Sequence, residues 1–397
     1  MQKSLRLILT ILLIMPSPLF AADGALDPTF GIGGVVTTDF GGNDYAFALA
    51  LQPDGKIVTG GTTTTGFALA RYNGNGSLDA SFGQGGKVTT AASNGATAVV
   101  LQPDGKIVAA GRDLLVRYNS NGSLDPSFGS GGRVVQTGFG LFSPSLVLQS
   151  DGKIVAVGTM SMPGDFALIR YNSDGSLDMT FGSAGIITTD FSGGDDEAYA
   201  SALQPDGKIV AVGRTTSLQS LFALARYNSD GSLDTTFGTG GRVTTSFFSN
   251  DYSFAGTIAI QPDGKIVAGG GGFLVETQAE LARYKSDGSL DPTFGAGGKL
   301  IDYGFGEARS LALQSDGKIV VASYPFIGDL ALTRYNSDGS VDTTFGVSGY
   351  VAGDAPWAIV LQPDGKIVAA GQTLVDFRLA RYDNHVLRRA RGQITSC

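Results

Sequence analysis

The block Leu-Gln-Pro-Asp-Gly-Lys-Ile-Val starts at Leu51, Leu101 and Leu361, and close variants start at Leu148, Leu203, Ile260 and Leu313. The seven copies lie 47 to 57 residues apart. An Arg-Tyr pair follows each copy, at Arg71, Arg117, Arg170, Arg226, Arg283, Arg334 and Arg381. A third block, Leu-Asp-x-x-Phe-Gly, begins at Leu26, Leu78, Leu124, Leu177, Leu233 and Leu290, with Val341 opening the seventh copy. Self-similarity at a period near 50 residues restricts a chain to arrays of one repeated supersecondary unit.

The phase of the blocks says more. The third block at Leu26 has no other block before it, and the Arg-Tyr pair at Arg381 has no third block after it. The two ends together make one complete repeat. A ring needs such complementary ends, because the terminal strand must pair with the other end to hide both edges. Each repeat reads as four short strands separated by turn residues. In the first repeat these are Ala46 to Gln52, Lys56 to Gly61, Phe67 to Asn73 and Lys87 to Thr90. The predicted fold is all-β, a seven-bladed β-propeller with four antiparallel strands per blade. The slim, Ala-rich strand belongs innermost and the polar Val-Thr strand outermost. Val35 to Asp39 is then the outer strand that completes the seventh blade, whose other strands lie between Ala358 and Asn384.

Three segments follow: a signal peptide over 1–22, the propeller over 23–384 and a basic tail over 385–397. Lys3 and Arg6 precede an apolar run from Leu7 to Met15, too short to span a bilayer comfortably; Ala21 and Ala22 offer a cleavage site before Asp23. The chain is thus expected to be exported to the periplasm, the cell surface or the medium, without a membrane span after cleavage. Its single cysteine, Cys397, excludes an intramolecular disulfide. A net charge of −8, with half the basic residues distributed around the repeats, argues against nucleic-acid binding.

These blocks resemble the delta-60 repeat family of bacterial exported proteins over roughly residues 24 to 384. The resemblance rests on Gln-Pro-Asp-Gly-Lys-Ile-Val, on Ala-Arg-Tyr-Asn-x-Asp-Gly-Ser-Leu-Asp and on Thr-Phe-Gly-x-Gly-Gly. The chain departs from that pattern at Lys285, where Asn usually stands, and at Gly111 to Leu115, where one loop is nearly absent. The resemblance implies a propeller-like fold and export, and no activity.

Recurrence within one chain points first to structural duties. Pro53-Asp54-Gly55 is a turn. Arg71 and Asp79, with their equivalents, are expected to pair, since Arg suits a carboxylate. The lysines after the turns, such as Lys56 and Lys106, are expected on the solvated rim. The Asn172, Asp174 and Asp178 loop is similar to part of a calcium loop, but it lacks the bidentate Glu, Lys285 would repel an ion in another copy, and an Asx-turn accounts for it. The only His is His385, so a His-Cys metal set and a Ser-His-Asp triad are excluded. The sequence calls for no cofactor and no metal.

The turns and long Asp-Gly loops share one nearly uniform face. The loops between strands two and three share the other with the blade-to-blade links, and both vary. Specific recognition needs asymmetry, so a site belongs on the variable face or in the channel mouth there. The links are acidic and aromatic. The candidate ligand-binding residues are Asp44, Tyr45, Asp195, Asp196, Glu197, Tyr199, Asp251, Tyr252, Glu307 and Trp357. The expected function is a non-catalytic, monomeric scaffold that binds a protein or glycan ligand. The alternative is a carbohydrate-active enzyme using two mouth carboxylates. A carboxyl pair about 5 to 9.5 Å apart would distinguish it.

Overall fold

The computed structural model describes residues 23–384 apart from 136–140, 161–163, 192, 217–218, 249–251, 274–276, 304–305, 325–329, 354–355 and 374. The segments expected to be a signal peptide (1–22) and a basic tail (385–397), and Asp251, therefore lie outside the described residues. The chain forms seven four-stranded antiparallel sheets, and in six of them the strands follow chain order. Blade 1 runs Tyr45–Leu51, Ile57–Thr63, Gly66–Tyr72 and Lys87–Ala91 from the inside outward. The seventh sheet breaks the order. Ala358–Leu361, Ile367–Gln372 and Phe377–Tyr382 are completed on the outside by Val35–Thr38. Val35 pairs with Ala380 and Thr38 with Phe377. The ring closes through the N-terminal strand, as the phase of the repeats predicts.

Burial follows the position of each strand. The second and third strands are apolar on both faces and buried along their length, as in Ile107–Gly111 and Phe166–Tyr171. They pack against the neighbouring blades, and each hydrophobic cluster spans two adjacent sheets. Four of the outer strands keep one Thr buried and the rest part-exposed or exposed.

The recurring polar residues stitch blade to blade. Arg71 Nε donates to Asp79 Oδ2 at 2.8 Å, and equivalent pairs recur at Arg117–Asp125, Arg170–Asp178, Arg226–Asp234, Arg283–Asp291 and Arg334–Asp342. Each guanidinium carbon lies 4.3 to 4.8 Å from the centroid of the third-block Phe ring. Arg71 also donates to the Ser120 carbonyl of the next blade. In the opposite direction, the Tyr72 hydroxyl donates to Thr38 Oγ1 of the preceding blade at 2.8 Å, and Tyr227 does the same to Thr189. At the seam the seventh aspartate comes from the other chain end: Arg381 Nε donates to Asp27 Oδ2 at 2.7 Å.

The lysines depart from expectation. Lys56 Nζ lies 3.1 Å from Asp79 Oδ2, and Lys153 Nζ lies 3.0 Å from Asp178 Oδ2. Each buried carboxylate carries two positive partners, so these lysines are half-buried struts rather than free rim charges. Burial opposes ionisation of Asp125, yet hydrogen bonds from Ser127 and the charge of Arg117 hold its carboxyl at about 2. The Asx-turn explains the long loop: Asp174 Oδ1 accepts from the Ser176 amide at 2.9 Å and its hydroxyl at 2.6 Å, while Asp178 serves Arg170.

Candidate functional site

Antiparallel order puts the start of every innermost strand on the variable face, beside the central channel. Five of these strands share an irregularity there: in blade 3 the register slips between Phe142 and Ser145, and the other four slip at one residue each. The register slips between Ala46 and Ala48, Ala198 and Ala200, Ala255 and Thr257, and Ala308 and Ser310. The extra residues are Phe47, Tyr199, Gly256 and Arg309. A bulge leaves its residue outside the ladder and re-aims the side chain. Glycines face three of these bulges because the backbones touch. A Cβ on Gly61, Gly213 or Gly270 would lie 1.9, 1.7 or 1.7 Å from the carbonyl oxygen of Tyr45, Glu197 or Phe254.

The bulged residues gather with their neighbours into an arc over blades 4 to 7 and 1. Tyr45 stacks on Phe47 with centroids 6.2 Å apart, and Phe47 meets Trp357 edge-on at 5.3 Å. The Arg309 guanidinium lies 3.5 Å from the centroid of Trp357 and 3.9 Å from that of Tyr324. Arg309 is held by Glu307 at 2.8 Å. Tyr199 packs edge-on to Phe254 at 5.8 Å and donates its hydroxyl to Glu197, which pairs with Arg214 at 2.8 Å. Burial, the hydrogen bond to Glu197 and the nearby charge of Glu307 raise the Tyr199 phenol well above its ordinary value. Burial opposes ionisation of Glu197, but Arg214 and Tyr199 hold its carboxyl below the usual carboxylate range.

The sequence-predicted residues divide. Tyr45, Glu197, Tyr199, Glu307 and Trp357 come together in the arc. Asp195 is exposed beside it, and Tyr252 is 63% exposed at a bridge to Ser220. Asp44 and Asp196 depart from the expected exposed mouth: both are fully buried. Strand alternation turns them away from Tyr45 and Glu197, their half-buried neighbours. Asp44 instead joins Asp39 and Asp376, and Asp196 joins Asp165 and Asp190, with one carboxylate oxygen of each within 4.8 Å of the others. Sequence reasoning missed Phe47, Arg309, Tyr324, Asp165 and Asp376. Bulges leave no clear pattern in the chain, and the aspartate groups join residues far apart in it. Two open grooves of about 660 and 1020 Å³ lie on the outer rim between blades. They are lined by repeat-loop residues such as Gly238, Asp287, Leu177 and Asp230, and the smaller reaches Phe191 in the link between blades 3 and 4.

Among the described residues, no helix is long and apolar enough to cross a membrane. No curated protein sequence matches the chain. Solved structures share its fold at low identity. The extracellular domain of a protein described as a hybrid two component system from B. thetaiotaomicron is 14% identical with a TM-score of 0.55, over 92% of this chain and 40% of that one. The chain therefore spans about two fifths of that structure. Virginiamycin B lyase from Staphylococcus aureus is 10% identical with a TM-score of 0.57, over 88% of this chain and 98% of the lyase. Kuenenia stuttgartiensis hydrazine synthase is 14% identical with a TM-score of 0.59, over 87% and 97%. At such identities the likeness is one of fold alone. A family model matches residues 52–82, 102–128, 149–181, 204–237, 261–294, 314–345 and 362–384. These segments repeat in step with the blades and cover more than half of the chain, which makes the protein a member of the family described as "Domain of unknown function (DUF5122) beta-propeller".

Proposed function

We propose that the protein is an exported, non-catalytic binding scaffold of delta-60-type repeats, acting as a monomer, whose variable-face channel mouth takes a glycan. The observation that carries this reading is the one-sided arc of Tyr45, Phe47, Trp357, Tyr324 and Tyr199, interleaved with the Arg309–Glu307 and Arg214–Glu197 pairs. Aromatic rings offer apolar faces to the apolar side of a sugar ring, and the ion pairs offer donors and acceptors to its hydroxyls. The opposite face consists of nearly identical loops locked by their own hydrogen bonds, so it has less asymmetry to offer a ligand. Export is supported by the basic-apolar leader read in residues 1–22, and by the extracellular domain among the structural neighbours.

The enzyme reading is weaker on physical grounds. A glycosidase acid needs a carboxyl whose pKa is raised. Beside the aromatic arc, the Glu197 carboxyl is pulled down and Glu307 is tied to Arg309, while the raised carboxyls of Asp165, Asp196 and Asp376 belong to two separate acidic groups.

Trp357, the only tryptophan, supplies the test. Soluble glycans that bind a glycan array are titrated against the protein while its fluorescence is followed. A saturable change is expected, weakened at least about tenfold in Tyr45→Ala, as expected for losing an interface aromatic. Capture of a protein ligand with silence on the array would replace the glycan by a protein. Silence in both experiments refutes the scaffold reading. Bond cleavage in the incubated glycan, lost in Glu197→Gln, would establish the enzyme.

A further inference from the structure

We infer that the variable face carries two calcium-type cation sites, one between blades 7 and 1 at Asp39, Asp44 and Asp376, and one between blades 3 and 4 at Asp165, Asp190 and Asp196. The inference is independent of the glycan reading. In each group the three carboxylates bring one oxygen apiece within 4.8 Å of the others. Oxygens bound on opposite sides of a calcium ion lie about 5 Å apart, given contacts of about 2.3–2.6 Å. The spacing suits an ion between them.

A second observation points the same way. Asp44 and Asp196 have no exposed surface; Oδ1 of Asp44 has no hydrogen-bond partner, and Oδ1 of Asp196 has only the neighbouring Thr215 hydroxyl, outside good hydrogen-bond geometry. Their Oδ2 atoms accept from the Phe40 and Phe191 amides, at 2.7 and 2.6 Å. A buried carboxylate oxygen left without a donor is costly, and two further carboxylates beside it add repulsion. No lysine or arginine ion pair reaches the carboxylates of Asp39, Asp44 or Asp376 among the described residues. Lys87, the nearby cation, donates to the Asp39 carbonyl at 2.9 Å instead.

The two groups are built alike. Asp39 or Asp190 directly follows the outer strand of one blade, which ends at Thr38 or Thr189. The third strand of that blade is preceded by Asp376 or Asp165, directly before Phe377 or Phe166. The next blade supplies Asp44 or Asp196. In both, a Phe from the link packs on the third-strand Phe with centroids 4.9 Å apart. The fold itself does not require the acids. At the junction of blades 4 and 5, Ser246 follows Thr245 and Ser253 enters the next blade. The Ser253 amide there donates to the Ser220 carbonyl at 2.8 Å, as the Asp44 amide donates to Val375 at 2.7 Å. The same backbone frame thus stands with serines, and the acids add to it hydrogen bonds from the link amides of Phe40, Gly41, Phe191 and Gly193. Asp39 and Asp190 are exposed, so water or a ligand oxygen can complete the shell. Hard oxygen donors without sulfur or imidazole select calcium or magnesium over transition metals, and a flexible carboxylate set favours calcium.

The test is calorimetric titration of chelator-treated protein with calcium chloride, alongside melting curves. The wild type is expected to bind two ions and to melt at least about 2 °C higher at saturation, since a ligand of the native state stabilises it. Asp44→Ser and Asp196→Ser copy the residue the fold already uses at Ser253. Each should bind one ion, and the double variant none. If the serine variants do not fold, Asp376→Asn and Asp165→Asn should each remove one ion instead. No heat and no melting shift up to millimolar calcium in the wild type would overturn the inference, as would two ions still bound by a folded double variant. Binding of magnesium alone would also refute the choice of calcium.

Discussion

Deleting residues 24–38 tests how the ring is held shut. That segment supplies the outer strand of blade 7, with four residues of ladder from Val35 to Thr38. It also supplies Phe30, which has no exposed surface and lies 4.7 Å beneath the Arg381 guanidinium. Loss of a buried Phe side chain costs about 3–5 kcal/mol. Asp27 pairs with Arg381 at 2.7 Å and with Lys366, so its removal leaves a buried guanidinium without its carboxylate, a loss of about 3–5 kcal/mol. The buried Tyr72 hydroxyl loses Thr38, at about 1–3 kcal/mol. The sum is on the order of 7–13 kcal/mol, and the shared contact to Arg381 pulls it toward the lower end. Whole domains are stable by about 5–15 kcal/mol. The truncated chain should therefore be largely unfolded, or should pair its open edge with another copy. Size-exclusion profiles and melting curves read this directly, and a synthetic peptide of residues 23–41 should restore a monomeric, cooperatively melting protein. Removing 385–397, past the last repeat, should leave both readouts unchanged. A truncated chain that melts within a few degrees of the intact one would refute closure through the N-terminal strand.

Other perturbations test the repeated framework. Phe237 has no exposed surface and lies under Arg226, so Phe237→Ala should cost about 3–5 kcal/mol in urea denaturation; a loss below about 1 kcal/mol would contradict its role as an anchor. The carboxyls of Asp125, Asp234 and Asp291 lie at about 2: burial opposes their ionisation, and Ser or Thr hydrogen bonds and arginine charges outweigh it. Depressed values stabilise fully above the unfolded carboxylate pKa near 4, and that stability is lost as pH falls toward 2. The contribution of this set to the urea midpoint should be flat from pH 7 to about 5 and fall between about 4 and 2, a fall that Asp→Asn replacement at the three sites should weaken. In blade 5, Asp302 takes the place of the buried Thr and accepts from Tyr335 of blade 6 at 2.6 Å, while burial raises its carboxyl above the ordinary value. Asp302→Thr restores the repeat and should raise stability at pH 7 by about 0.5–2 kcal/mol; a lower melting temperature would show that the carboxylate is needed there.

The sequence by itself determined the ring. Seven copies of three blocks set the number of blades, and the unmatched third block at Leu26 set the closure, because a sheet edge needs a partner wherever it lies in the chain. The Arg–Asp pairs were legible for a similar reason: two residues that recur together, eight apart, share a duty in every copy. The site was only half legible. Tyr45 and Trp357 stood out as aromatic residues in the links, but Phe47 and Arg309 reach the mouth through bulges, and a bulge is decided by how two backbones meet, as at Gly61 and Tyr45. Tertiary structure also reversed the reading of Asp44. Its neighbours in the chain made it a rim charge, whereas the pleat turns it inward against Asp39 and Asp376, which a ring alone can bring from opposite ends of the sequence.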